Sequence, residues 1–99
     1  MKIKILKSAR DDLKEGYYFY ESQQIGLGMY FLESLFADIE SLNLFAGIHS
    51  VHFKKYYRML SKRFPFAVYY QITKNNDEIR IFAVIGCRRK PAWIKNKLK

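Results

Sequence analysis

Two apolar runs on either side of a short polar turn constrain this chain more than any other feature. The first, Phe66–Thr73, alternates throughout: Phe66, Val68, Tyr70 and Ile72 share one face, Ala67, Tyr69, Gln71 and Thr73 the other. The second, Ile79–Ile85, sets Ile79, Ile81, Ala83 and Ile85 against Arg80, Phe82 and Val84. A period of two in β-branched and aromatic residues is the spacing of a pleated strand, and Asn75, Asn76 and Asp77 supply turn chemistry between the runs. The pair predicts a β-hairpin. Cations bracket it: Lys54, Lys55, Arg58, Lys62 and Arg63 come before, and Arg88, Arg89 and Lys90 after.

Upstream, the period changes. Lys2–Leu6 alternates Lys2, Ile3, Lys4, Ile5, as a strand with one buried face would. Ser8 then reads as a helix N-cap, with Asp11 three residues on in a capping box and Asp12 adding charge near the positive helix end. This first helix is expected to run to about Ser22, burying Ala9, Leu13, Tyr17 and Tyr20, with Gly16 permitting close approach. A break over 23–28 contains Gly26 and Gly28. A second helix then runs to about Leu44, with Phe31, Leu35, Ile39 and Leu42 as its apolar stripe, Leu32 and Phe36 widening it, and Glu33, Asp38 and Glu40 on its polar face. A short connection between two such helices predicts an antiparallel helical hairpin.

The segment 46–55, with His49 and His52, has no clear period. Tyr56–Leu60 reads as a strand leading to Phe64-Pro65, where proline suits a strand start or edge. Gly86 reads as a bulge or close backbone approach. Pro91 is expected to end regular structure, Trp93 and Ile94 to fold back as a hydrophobic plug, and the last residues to fray. The expected class is α+β in the order β-α-α-β-β-β, a helical hairpin on one face of a small, mainly antiparallel sheet. At 99 residues it is expected to be one domain over 1–99.

Charge is uneven. Residues 1–40 carry five Lys/Arg and seven Asp/Glu, whereas residues 41–99 carry thirteen and two, so the net +9 belongs to the second half. Such a half favours an anionic partner, and Arg58, Lys62, Arg63, Arg88, Arg89 and Lys90 are the candidate contacts for a target or nucleic acid. One cysteine, Cys87, allows no internal disulfide, and no apolar run has membrane-span length. The start lacks the apolar core of a secretion signal, so a cytoplasmic protein is expected, with no membrane partner.

Metal and cofactor chemistry lack candidates. One cysteine and two histidines make no ligand set of the usual kind, and no glycine-rich loop is built to cradle phosphate. Cys87 beside Arg88 and Arg89 favours thiolate, but no base is placed near it. A metal-independent nuclease would use Arg58, Arg63 and Arg89 to hold the charge that develops on phosphate, leaving only His49, His52 or an unusual tyrosine or lysine for proton transfer. On the residues alone, polyanion binding fits better than catalysis.

The run from Arg58 through Phe64-Pro65-Phe66, followed by a hairpin and then Ile81-Phe82-Ala83-Val84-Ile85-Gly86-Cys87-Arg88-Arg89-Lys90-Pro91, resembles the RelE/ParE toxins of bacterial type II toxin–antitoxin systems. Gly26-Leu27-Gly28 with Phe31 resembles that family's inter-helix turn. The resemblance implies a toxin neutralised by a cognate acidic antitoxin, alone as a homodimer or within a hetero-oligomer. Its target would be DNA gyrase for a ParE-like member, or mRNA on the ribosome for a RelE-like member. Arg58 matches the arginine before the Phe-Pro step, and Arg89 the arginine before the closing proline. Gly86 stands where many members carry histidine, and no terminal tyrosine follows Trp93, so the resemblance leans ParE-like. Tyr17, Tyr18, Phe19 and Trp93 are the candidate antitoxin contacts. A degenerate, non-toxic binding member is the third reading.

Overall fold

The computed structural model describes residues 1–75 and 77–98. The elements run β1 (Lys2–Ile5), α1 (Lys7–Gln23), α2 (Leu27–Glu40), α3 (Leu42–Phe45), β2 (Ser50–His52), β3 (Tyr56–Leu60), β4 (Phe66–Ile72), β5 (Glu78–Gly86) and α4 (Pro91–Lys97). The five strands form one sheet in the order β1-β5-β4-β3-β2. β1 lies parallel to β5, and the other pairs are antiparallel. The fold is α+β, as expected, and the hairpin of β4 and β5 is its centre. Asn76, within the expected turn, lies outside the described residues. Beside it, Thr73 Oγ1 donates to Asp77 Oδ1 at 2.6 Å, and Thr73 N–H donates to Glu78 O at 3.0 Å.

The alternation in β5 is not continuous. Tyr69 pairs with Ala83 but Tyr70 pairs with Ile81, so Phe82 is an extra residue opposite β4. A bulge of this kind shifts every later side chain by one face. Ile79 and Ile81 therefore join Val68 and Tyr70 under the helices, together with Val84 beyond the bulge. Ala83 and Ile85 turn to the opposite face with Ala67 and Tyr69. The expected single face of Ile79, Ile81, Ala83 and Ile85 is thus split. The bulge is at Phe82 rather than at Gly86, which pairs regularly with Phe66.

The helices pack antiparallel, as the close pairs Gly16–Phe31 and Tyr17–Gly28 require. Gly28 is not part of the break but buried inside α2, where a Cβ would lie 2.6 Å from the Tyr17 carbonyl oxygen. Gly26, at φ +90°, makes the turn. Glu21, unremarked in the sequence, holds it: its carboxylate accepts from Gly26 N–H at 3.1 Å and Gly28 N–H at 3.0 Å, satisfying donors at the start of α2. Tyr20 and Phe31 close the core with Phe64 and Phe66, so the Phe-Pro-Phe step is turn and core together.

Ser8 is not the N-cap. α1 begins at Lys7, and Ser8 Oγ instead donates to the carbonyl of the bulged Phe82 at 2.6 Å. Asp11 pairs with Lys7 at 3.0 Å on the surface rather than closing a capping box. α2 stops at Glu40, and one turn of α3 follows after Ser41, whose hydroxyl donates back to Asp38 O. β2, a three-residue edge strand, arises in the segment without clear period.

The C-terminal segment also departs from expectation. Pro91 starts α4 rather than ending order, since its missing N–H and fixed φ suit a first helical position. Ile94 and Leu98 are buried against Tyr56, Ala67, Tyr69, Ala83 and Ile85, and Tyr56 Oη donates to Leu98 O at 2.9 Å. Leu98 is thus packed rather than frayed, Ile94 is the plug, and the sheet is covered on both faces. Trp93 remains 41% exposed. No helix among the described residues is long and apolar enough to cross a membrane.

A methyl group at Gly16 would sit 2.5 Å from two Phe31 ring carbons. Gly16→Ala should therefore destabilise the fold by about 1–3 kcal/mol through overpacking. Urea denaturation of Gly16→Ala with and without Phe31→Leu should show part of that loss recovered in the double variant.

Candidate functional site

Strand register gathers the cations at one end of the sheet. Leu60 at the end of β3 pairs with Ala67, and Phe66 at the start of β4 pairs with Gly86 at the end of β5. The loop 61–65 and the segment 87–90 therefore emerge side by side, and Cys87 N–H donates to Pro65 O at 2.8 Å. Lys62 and Arg63 lie on the first, Arg88, Arg89 and Lys90 on the second, all exposed. Asp77 and Glu78 sit at the opposite end, where Glu78 pairs with Arg80.

The loop bearing Lys62 and Arg63 is fixed by an acid. Asp38 is buried rather than on a polar helix face, and its Oδ2 accepts from Ser61 Oγ at 2.6 Å and from Lys62 N–H at 3.4 Å. It is therefore not an ion-pair partner of Arg58 or Arg89. The ion pairs among the described residues are Lys7–Asp11, Arg80–Glu78 and Lys97–Asp12, and none includes a cation of this end.

Three arginines take different directions. Arg58 is half-buried on the α4 side of the sheet, where its Nε donates to Tyr69 Oη at 3.1 Å and Nη2 lies 3.9 Å from Cys87 Sγ. Arg89 stacks on Trp93, 4.3 Å from guanidinium carbon to ring centroid. Arg88 approaches the helical side, where its charge opposes the burial that pushes the Tyr20 hydroxyl up. The cations wrap the sheet end rather than forming a flat patch. Trp93 gains a role the sequence did not assign: it holds Arg89.

A cleft of about 210 Å³ opens beside Arg89, lined also by Asp12, Glu15, Phe19, Phe66 and Trp93. Asp12 is buried there, accepting from Val84 N–H at 2.9 Å and facing Lys97 Nζ at 3.3 Å. Burial pushes its carboxyl up, against the pull of both partners. A wider groove of about 610 Å³ runs between α1 and α2 on the outside. Tyr17, Tyr18, Met29, Leu32 and Phe36 form its apolar floor, and Arg10, Lys14 and the Lys7–Asp11 pair its rim, which is net basic. The candidate antitoxin contacts thus fall in two places: Tyr17 and Tyr18 in the groove, Phe19 and Trp93 in the cleft.

Edge strand β2 adds groups the sequence did not connect. Ser50 pairs with Arg58, and Arg58 with Tyr69, so the three share one row across the α4 side. His52, on the same face and opposite Tyr56, has its Nε2 3.1 Å from Ser50 Oγ. No local signal could set Ser50 opposite Arg58, with His52 on the same face, because β2 is too short to show a period. His49 is elsewhere: Tyr70 Oη accepts from Gly47 N–H at 3.0 Å and is hydrogen-bonded to His49 Nδ1. Among the described residues no three His, Cys, Asp or Glu side chains are placed to hold a metal ion.

The likeness to known proteins lies in the fold. No protein-family model matches the sequence, and no curated protein does. Among solved structures, the chain superposes on one from the chromosomal ParDE TA system from P. aeruginosa with a TM-score of 0.78 and 17% identity. The match covers 87% of this chain and 95% of that one. The fold is RelE/ParE-like. In that RelE/ParE-like frame, the cationic end, the α1–α2 groove and the β2 row are three separate surfaces.

Burial holds His49 below the ordinary imidazole range. The folded chain then binds fewer protons at His49 than the unfolded chain just below about pH 6.5, so stability is lost as pH falls from there toward the lowered value. Thermal melts between about pH 7.5 and 5.5 should show this decline, and His49→Gln should remove the part due to this ring.

Proposed function

We propose that this chain, acting as one domain in the cytoplasm, is the toxin component of a type II toxin–antitoxin system. In this ParE-like reading, it inhibits growth by gripping an essential target such as DNA gyrase. The observation that carries the reading is the fold shared with a chain of a ParDE system across most of both chains. The basic sheet end is its target surface, with Arg58, Lys62, Arg63, Arg88, Arg89 and Lys90 as contacts. Its cations have no acidic partner among the described residues, so they meet an anionic surface without first breaking an ion pair.

The antitoxin lies in the α1–α2 groove. An apolar floor with a basic rim suits an amphipathic helix whose polar face is acidic. Tyr17 and Tyr18 meet its apolar face. Phe19 and Trp93, at the cleft, meet an extended continuation of the same segment.

A second reading rests on the β2 row. His52, Ser50, Arg58 and Tyr69 set a titratable ring, a hydroxyl and a cation on one face, the groups a metal-independent RNA cleavage would use. The RelE-like alternative, a ribosome-dependent mRNA endonuclease, thereby gains the proton carrier that Gly86 does not supply. A non-toxic member would instead be harmless when expressed without its antitoxin.

Induced expression should arrest growth, and the purified chain should inhibit gyrase supercoiling, with Arg63→Ala and Arg89→Ala each weakening inhibition at least about tenfold. Normal supercoiling at excess protein overturns the gyrase reading. New codon-phased mRNA 5′ ends, lost in His52→Ala and Arg58→Ala, would instead establish the nuclease. Tyr18→Glu and Met29→Glu should each weaken binding of the cognate antitoxin by about tenfold or more while leaving toxicity intact.

A further inference from the structure

The cleft beside Arg89 combines flat rings, cations and an unpaired acid. Phe19, 55% exposed, comes to it from α1, and Arg89, stacked on Trp93, comes from the segment that enters α4. A missing side chain keeps its floor open. Gly86 pairs with Phe66 and lies on the helix-facing side with Val84, so a side chain at 86 would project into the cleft. A Cβ there would meet nothing nearer than Pro65 O at 4.0 Å, and Gly86 is not among the positive-φ glycines. Neither packing nor backbone conformation therefore demands glycine at this position. Two acids also line the cleft. Asp12 is spent on Val84 N–H and Lys97, whereas Glu15 is exposed and enters none of the ion pairs among the described residues.

We propose that this cleft takes an unstacked base of single-stranded DNA, one with an amino edge such as cytosine. The base lies against the Phe19 ring and the Arg89 guanidinium, and Glu15 accepts from its exocyclic amine. The flanking phosphates stay outside, on Arg88, Arg89 and Lys90.

The charge pattern selects a nucleotide over a peptide side chain. The cations at the mouth have no acidic partner among the described residues and call for negative charge. A carboxylate entering the cleft would nevertheless meet Glu15 and Asp12, and a lysine or arginine would first have to pass Arg88, Arg89 and Lys90. A nucleotide divides its groups to match: anionic phosphates at the mouth, and a neutral ring with a hydrogen-bond donor inside. The choice of DNA over RNA rests on the gyrase reading, whereas the base site rests on the cleft alone. The antitoxin segment assigned to Phe19 and Trp93 would cover the same cleft, so strand and antitoxin exclude one another.

Trp93 is the chain's one tryptophan, so its fluorescence reports on the cleft. The purified full chain is titrated with single strands of about ten nucleotides, all dT or with one central dC, in about 0.1 M NaCl. Both strands should quench Trp93, the dC strand binding several-fold more tightly, while inorganic polyphosphate and the same sequence as a duplex should not quench. Gly86→Val fills the cleft and keeps every cation. With its fold checked by circular dichroism, it should weaken binding about tenfold and erase the dC preference. Glu15→Gln removes a negative charge from a basic surface, so it should tighten both strands and still erase the preference, which charge alone does not do. Absence of quenching, equal quenching by polyphosphate, a dC preference that survives both substitutions, or tighter binding of the matching RNA strand overturns the proposal. The assay contains no gyrase, so its failure leaves the supercoiling test standing, and normal supercoiling leaves the base site standing.

Discussion

One extra residue in β5 is the constraint on which the rest of this molecule depends. Without Phe82 as a bulge, Ile79, Ile81, Ala83 and Ile85 would share a face, and Val84 would leave the helix-facing core for the opposite side. With it, a single strand feeds two cores. The helix-facing side keeps Ile79, Ile81 and Val84, and the other side receives Ala83 and Ile85, against which Ile94 and Leu98 pack. Ser8 and Asp12 of α1 are tied to the same stretch, through the carbonyl of Phe82 and the N–H of Val84. Helix, strand and C-terminal helix are thus fastened at one irregularity, and α4 is where Trp93 holds Arg89.

Buried acids supply the second organising element. Asp38 and Asp12 look like solvent-facing charges in the sequence, yet each is buried and spends its oxygens on the backbone and on nearby polar side chains. Satisfying loop donors in this way is what makes a buried carboxylate tolerable. It also explains why a chain with nine acids leaves its basic end uncompensated. Asp38 shapes the loop bearing Lys62 and Arg63 instead of neutralising its charge, and Glu21 does the same for the inter-helix turn.

The legible features were those written in local repeats. The β4 alternation, the helical stripes of Ala9, Leu13, Phe31, Leu35 and Ile39, the role of Gly16 and the strand at Tyr56–Leu60 all carry their period in the chain itself. β2 was not legible because three residues cannot display a period. α4 was not, because a proline marks a helix start as well as a stop, and only the packing of Ile94 and Leu98 decides between them. The candidate site was half legible. Charge runs gave the cations, but the alignment of Ser50 with Arg58, and of His52 on the same face, comes from strand pairing between segments that carry no mutual signal.

By itself, then, the sequence determined the class of fold, the hairpin at its centre and the concentration of positive charge in its second half, because strand and helix periods and charge are properties of neighbouring residues. Tertiary structure alone decided which face each β5 residue takes, which acids are buried, and which way each arginine leaves the sheet end. Those outcomes depend on register and on competition for backbone donors between segments far apart in the chain, and neither is encoded in any one stretch.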